Sequence, residues 1–146
     1  MKSKLQAGET IVEVLIAIAV LATALGGAFS ISTRAKNTMQ ANQERYQAQL
    51  IANSQADLLK LYMLDNSQYS PKLAYFCMYY DETNKSYAPI EYNVLNSPPA
   101  NCTQNSDLYS ISITQTNSSE NIYLIKVIWD SLINGSQDQV ELAYGT

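Results

Sequence analysis

One carboxylate constrains this chain more than any other residue. Residues 11–29, IVEVLIAIAVLATALGGAF, are apolar or small throughout apart from Glu13 and Thr23. An ionised Asp at the centre of a membrane helix costs about 2.5–3.5 kcal/mol on insertion scales, and an off-centre Glu somewhat less. A charge kept there calls for a partner. The apolar stretch reaches Ile31, and at 1.5 Å per residue residues 11–31 span about 30 Å, the thickness of a bilayer core. Lys2 and Lys4 precede it, with Gly8 five residues before Glu13.

Three readings compete for this segment. A buried helix of a soluble core would show a polar stripe at 3.6-residue spacing, and none is present. A secretory signal peptide would use Lys2 and Lys4 as its basic head and Ala22-Thr23-Ala24 as its cleavage site, releasing a chain that starts at Leu25. Against it, Glu13 interrupts the apolar region and the run continues past the cut through Leu25, Ala28 and Phe29. The third reading is a membrane helix with its N-terminus in the cytoplasm, as Lys2 and Lys4 favour. Arg34 and Lys36, on the outer side, weaken that asymmetry.

Composition narrows the function. The 146 residues carry a net charge of -4, and the nine basic residues are scattered, so no basic stripe exists to neutralise phosphates and no nucleic-acid site is evident. Histidine is absent, which removes the commonest general base and metal ligand. No catalytic constellation remains, and the expectation is a protein that is not an enzyme and needs no cofactor or metal. Asp81-Glu82 and Asp130 match no calcium loop. Four Asn-X-Ser/Thr sequons begin at Asn84, Asn101, Asn117 and Asn134. In a chain so rich in Asn, Ser and Thr, chance accounts for them.

Residues 6–19, QAGETIVEVLIAIA, resemble the leader and helix start of type IV pilin and pseudopilin precursors, and within that family minor, PilV-like pilins are the most similar. The pattern is a short basic leader ending in Gly, then a Glu at the fifth mature position inside an apolar helix; Glu13 is fifth counted from Glu9. Glu9 stands where the family usually has Phe or Met. The resemblance implies cleavage by a prepilin peptidase between Gly8 and Glu9, N-methylation of Glu9, and docking through Glu13 to the new amine of a neighbouring subunit. It also implies the partners: the lipid bilayer before assembly, an assembly platform in the membrane, and other pilin subunits in a surface fibre. Adhesion, motility and DNA uptake are all compatible with it. A type II secretion pseudopilin and a secreted, disulfide-bonded binding protein are the alternatives.

The rest of the chain reads as an α+β head. No proline occurs before Pro71, so one helix of about 80 Å is expected over residues 10–64. Its segments are a leader (1–8), a membrane and fibre-core half (9–33) and an amphipathic half (34–64). The pair Gly26 and Gly27 is its weak point, at about 1 kcal/mol per glycine relative to Ala; close packing through small residues is the other use of such a pair. Tyr46, Leu50, Leu58 and Tyr62, with Leu61, mark an apolar stripe for packing on a sheet. Residues 65–106, rich in Tyr, Pro, Asn and Ser, read as irregular loops. Their tyrosines are a contact surface or, more simply, pack over the sheet. Alternation over residues 108–114, 122–129 and 139–144, with turns at 117–120 and Asn134-Gly135, predicts a three- to four-stranded antiparallel sheet. If the head is exported, Cys77 and Cys102 form a disulfide; otherwise they are two buried thiols.

Overall fold

The computed structural model describes residues 6–67, 69–95, 97–117, 122–133 and 135–145, and of these the side chains of 6–10 and 117 are left aside. Lys2, Lys4, the side chain of Glu9, most of the 117–120 turn and Asn134 therefore lie outside the described residues. The chain divides into two compact units, Met1–Gln40 and Ala41–Thr146.

Helix α1 runs Gln6–Asp65 without interruption, as the lack of proline allows. Its exit is capped: the backbone N–H and the side-chain Nδ2 of Asn66 both donate to the carbonyl of Tyr62, at 3.0 and 3.1 Å. Within the second unit, the helix packs on an antiparallel sheet of β1 (Tyr75–Asp81), β2 (Ser86–Tyr92), β3 (Thr103–Gln104), β4 (Tyr109–Asn117), β5 (Ile122–Asp130) and β6 (Gln137–Gly145). The order is β2-β1-β4-β5-β6, with β3 paired to β4. The α+β class and the three C-terminal strands are as the alternation predicts.

Residues 65–106 are not irregular as their composition implies. They hold a full hairpin, with Tyr75↔Tyr92 through Asp81↔Ser86 in register, a 3-10 turn at Ala100–Cys102 and the short β3. β1 escapes notice because Tyr75-Phe-Cys-Met-Tyr-Tyr80 does not alternate, and β2 because it contains Pro89. Proline is tolerated there because β2 is an edge strand.

The helix face that meets the sheet also differs from the expected stripe. Tyr46 is 60% exposed and Leu50 50%, whereas Ala48, Ile51, Ala52, Gln55, Ala56 and Leu59 are buried. Of the expected stripe, Leu58 and Tyr62 pack against the core. Three alanines one turn apart let the backbone approach the sheet closely, where large side chains fill the space: Phe76, Tyr109, Ile111, Ile113, Tyr123, Ile125, Val127 and Trp129. The bulk lies on the strands, so a search for large apolar residues on the helix picks the wrong face.

Two side-chain devices lock the exit. Tyr62, Tyr69, Phe76 and Tyr123 form a chain of edge-to-face rings with centroids 5.3, 5.7 and 6.1 Å apart. Glu91 on β2 accepts the Tyr69 hydroxyl at 2.9 Å and the backbone N–H groups of Lys72 and Leu73 at 2.9 and 3.1 Å. At the other end of the buried face, Tyr109 at the start of β4 donates to the carbonyl of Glu44 and to Gln47 Oε1, both at 3.2 Å.

One edge of β4 is shared. β1 meets it at Phe76↔Ile113, and β3 meets it at Thr103↔Ser110 and Gln104↔Tyr109. Between those contacts β1 leaves the ladder, and Gln55 of α1 takes the place of a strand. Its Oε1 accepts the Met78 N–H at 2.8 Å and its Nε2 donates to the Met78 carbonyl at 3.1 Å. The Cys77–Cys102 disulfide, with Cα atoms 5.6 Å apart, ties β1 to the turn that leads into β3. Both cysteines are fully buried. The disulfide reading of the two cysteines holds.

Candidate functional site: the N-terminal helix and its exposed faces

The residues singled out near the N-terminus share one element. Gly8, Glu9 and Glu13 lie in the first turns of α1, and a spacing of four places Glu9 and Glu13 on one face of the helix. The Gly8–Glu9 bond lies among the first described residues of α1.

Every residue from 11 to 43 is exposed, including Ile11, Val12, Val14, Leu15, Ile16, Ile18, Leu21 and Phe29. Glu13 is therefore an exposed carboxylate within an exposed apolar stretch of the helix. Such a face is not stable in water and needs lipid or the helices of neighbouring chains. Among the described residues, α1 is the helix long and apolar enough to cross a membrane.

Gly26 and Gly27 lie within the helix, and a Cβ placed on either would meet no atom within 4 Å. Among the described residues, no packing requires a glycine there. What the pair contributes is lower helical stability, or room for another chain's backbone. Thr23 and Thr33 direct their hydroxyls to the carbonyls of Val20 and Phe29, at 2.8 and 3.0 Å, so both polar groups are satisfied within the helix.

A second feature has no signal in a search for one stripe. On the side of α1 away from the sheet, Tyr46, Leu50, Leu61 and Leu64 are 50–72% exposed. Spacings of 4, 11 and 3 residues keep them on one face. α1 in the second unit thus carries two apolar faces, one closed by the sheet and one open.

The disulfide pair Cys77 and Cys102 belongs to the head and lies apart from these residues in the sequence; its role is structural. Among the described residues, no group of three or more metal-binding side chains comes together.

A family model, the prokaryotic N-terminal methylation motif, matches residues 3–29. The matched segment contains Gly8, Glu9, Glu13 and the glycine pair. Neither the characterised proteins nor the solved structures compared with the chain match it.

Proposed function

From a type IV pilin-like precursor N-terminus, we propose that this chain is a structural subunit, of the minor-pilin kind, of a type IV pilus. The precursor inserts with residues 11–31 in the cytoplasmic membrane and its head outside. A prepilin peptidase cuts between Gly8 and Glu9, the amine of Glu9 is methylated, and the mature chain joins a helical fibre on the cell surface. Adhesion, motility or DNA uptake then follows from the fibre, with no catalysis by this chain.

One observation carries the reading: Glu13 stands in register after Gly8 within an exposed apolar stretch of its helix. Cleavage creates a positive amine at Glu9. A neighbouring subunit's Glu13 neutralises it, and two charges that are costly alone become a pair that sets the axial register. Burial of residues 11–31 against other subunits then replaces lipid. The outward stripe of Tyr46, Leu50, Leu61 and Leu64 supplies further contact beyond the membrane half. The glycine pair gives the helix a place to loosen or approach as it leaves the bilayer.

Glu13→Ala tests the docking role. The variant should insert and be cleaved normally, with a mature N-terminus at Glu9 by mass spectrometry. Its amount in sheared fibres should fall about tenfold or more, the equivalent of roughly 1.4 kcal/mol or above. Wild-type amounts of the variant in fibres would overturn the role given to Glu13. A mature N-terminus at Leu25 would overturn the whole reading in favour of a secreted protein.

A further inference from the structure

We propose that Leu132 and Ile133, in the β5–β6 turn, rest in the headgroup layer of the membrane that holds α1 while the chain awaits assembly. The proposal rests on the reading of residues 11–31 as a membrane anchor with the head outside.

This turn is apolar where turns are ordinarily polar. Gly, Pro, Asn, Asp and Ser favour such positions, and single apolar residues scattered on a surface need no explanation. Here two large ones stand side by side, Leu132 66% and Ile133 37% exposed. By contrast, the β1–β2 turn at residues 82–85 reads Glu-Thr-Asn-Lys, and residues 105–107 between β3 and β4 read Asn-Ser-Asp. The apolar turn is closed by its own backbone. The Gly135 N–H donates to the Ser131 carbonyl and the Ser131 N–H to the Ser136 carbonyl, each at 2.8 Å. Gly135, at φ +65°, takes the left-handed position that glycine tolerates.

The position of the turn says what covers it. β5 starts near the exit of α1, where Tyr123 meets Phe76, which packs in turn on Tyr69. It ends near the entry of α1 into the head, where Trp129 pairs with Tyr109, whose hydroxyl donates to the Glu44 carbonyl. The turn follows at that entry end. From Ile31 to Ala41, the first residue of the head unit, α1 rises about 15 Å. The headgroup layer takes up roughly 5–7 Å of that. Three steps of extended chain carry Leu132 up to about 10 Å past Trp129, which brings a bilayer surface within its reach. Asp107, Asp130 and Asp138 are exposed at this end, as is Arg45. The contact is therefore apolar insertion rather than attraction to anionic lipid, and Leu and Ile are among the side chains a bilayer accepts most readily.

The test uses the full chain reconstituted into vesicles of zwitterionic phosphatidylcholine, with or without bromine near the ester end of the acyl chains. Trp129 is the sole tryptophan and is buried, so the wild type supplies the background. Leu132→Trp is expected to add a blue-shifted emission that is largely lost in the brominated vesicles. Leu61→Trp, similarly exposed but towards the exit end of α1, is expected to keep its emission in both. Equal quenching at the two positions, or none, overturns the proposal. So does a blue shift at Leu132→Trp that escapes quenching and grows with the protein-to-lipid ratio, which would put a second copy of the chain on the turn. Flotation of each sample in carbonate reports separately on the anchor. A chain that does not float with the vesicles overturns the anchor reading and this proposal together, whereas an anchored chain with an unquenched Leu132→Trp overturns this proposal alone.

Discussion

Gln55 shows how much a single polar side chain can carry in this head. It is buried on a helix face that also holds Ala48, Ile51, Ala52, Ala56, Leu59 and the buried Glu44, and it completes both backbone groups of Met78 where β1 has left β4. Gln55→Ala strands a buried N–H and a buried carbonyl at once, and should cost on the order of 2–4 kcal/mol. Urea unfolding of the detergent-solubilised chain would show it as a lower midpoint with little change in slope. The tyrosines give a second residue-scale expectation. Burial raises the phenols of Tyr69, Tyr92, Tyr109 and Tyr123, with Tyr92 pushed up to about 12, and Glu91 adds to the effect at Tyr69. An unfolded tyrosine loses its proton near pH 10, while the folded one keeps it. These groups therefore contribute full stability below about pH 10, and the contribution declines as pH rises further, by up to about 1.4 kcal/mol per unit for each group. Unfolding midpoints should hold steady from pH 8 to 9.5 and drop by pH 11.

At the scale of the element, α1 makes the sharpest contrast. Its sheet-facing side is built on Ala48, Ala52 and Ala56, so Ala52→Leu should overpack the contact and destabilise the head by about 1–3 kcal/mol. Leu50→Ala, on the open side, should leave head stability within about 0.5 kcal/mol while lowering the amount of protein in fibres. Equal destabilisation by both variants would mean that the two faces are misassigned. The same helix shows what a sequence can reveal. Its extent was legible, because sixty residues without proline leave few alternatives, and so were β4, β5 and β6 through their alternation. The N-terminal motif at residues 3–29 was legible because charge, spacing and an apolar run coincide. The buried face was not, because alanines carry no strong signal and the bulky partners that complement them lie far along the chain. The β1–β2 hairpin was hidden for a related reason. Its tyrosines fit a strand as well as a loop, and only pairing with β4 and Gln55 decides between them.

For the whole molecule, the disulfide carries the largest single expectation. Closing a 25-residue separation contributes on the order of 3 kcal/mol by chain-entropy reasoning. Cys77→Ala with Cys102→Ala should lower head stability by about that amount, and export into a reducing environment should lower the yield of folded protein. A double variant as stable as the wild type would show that the ladder and Gln55 suffice. The shared edge of β4 also bears on how the head withstands load. The hairpin joins β4 at a single ladder pair, so a pull applied at its tip finds few hydrogen bonds to share the strain. The force passes instead to the covalent link at Cys77, the residue next to Met78 and its Gln55 clamp. The hairpin is thus a tethered lever: its covalent anchor at Cys102 leads directly into β3, which is itself paired to β4.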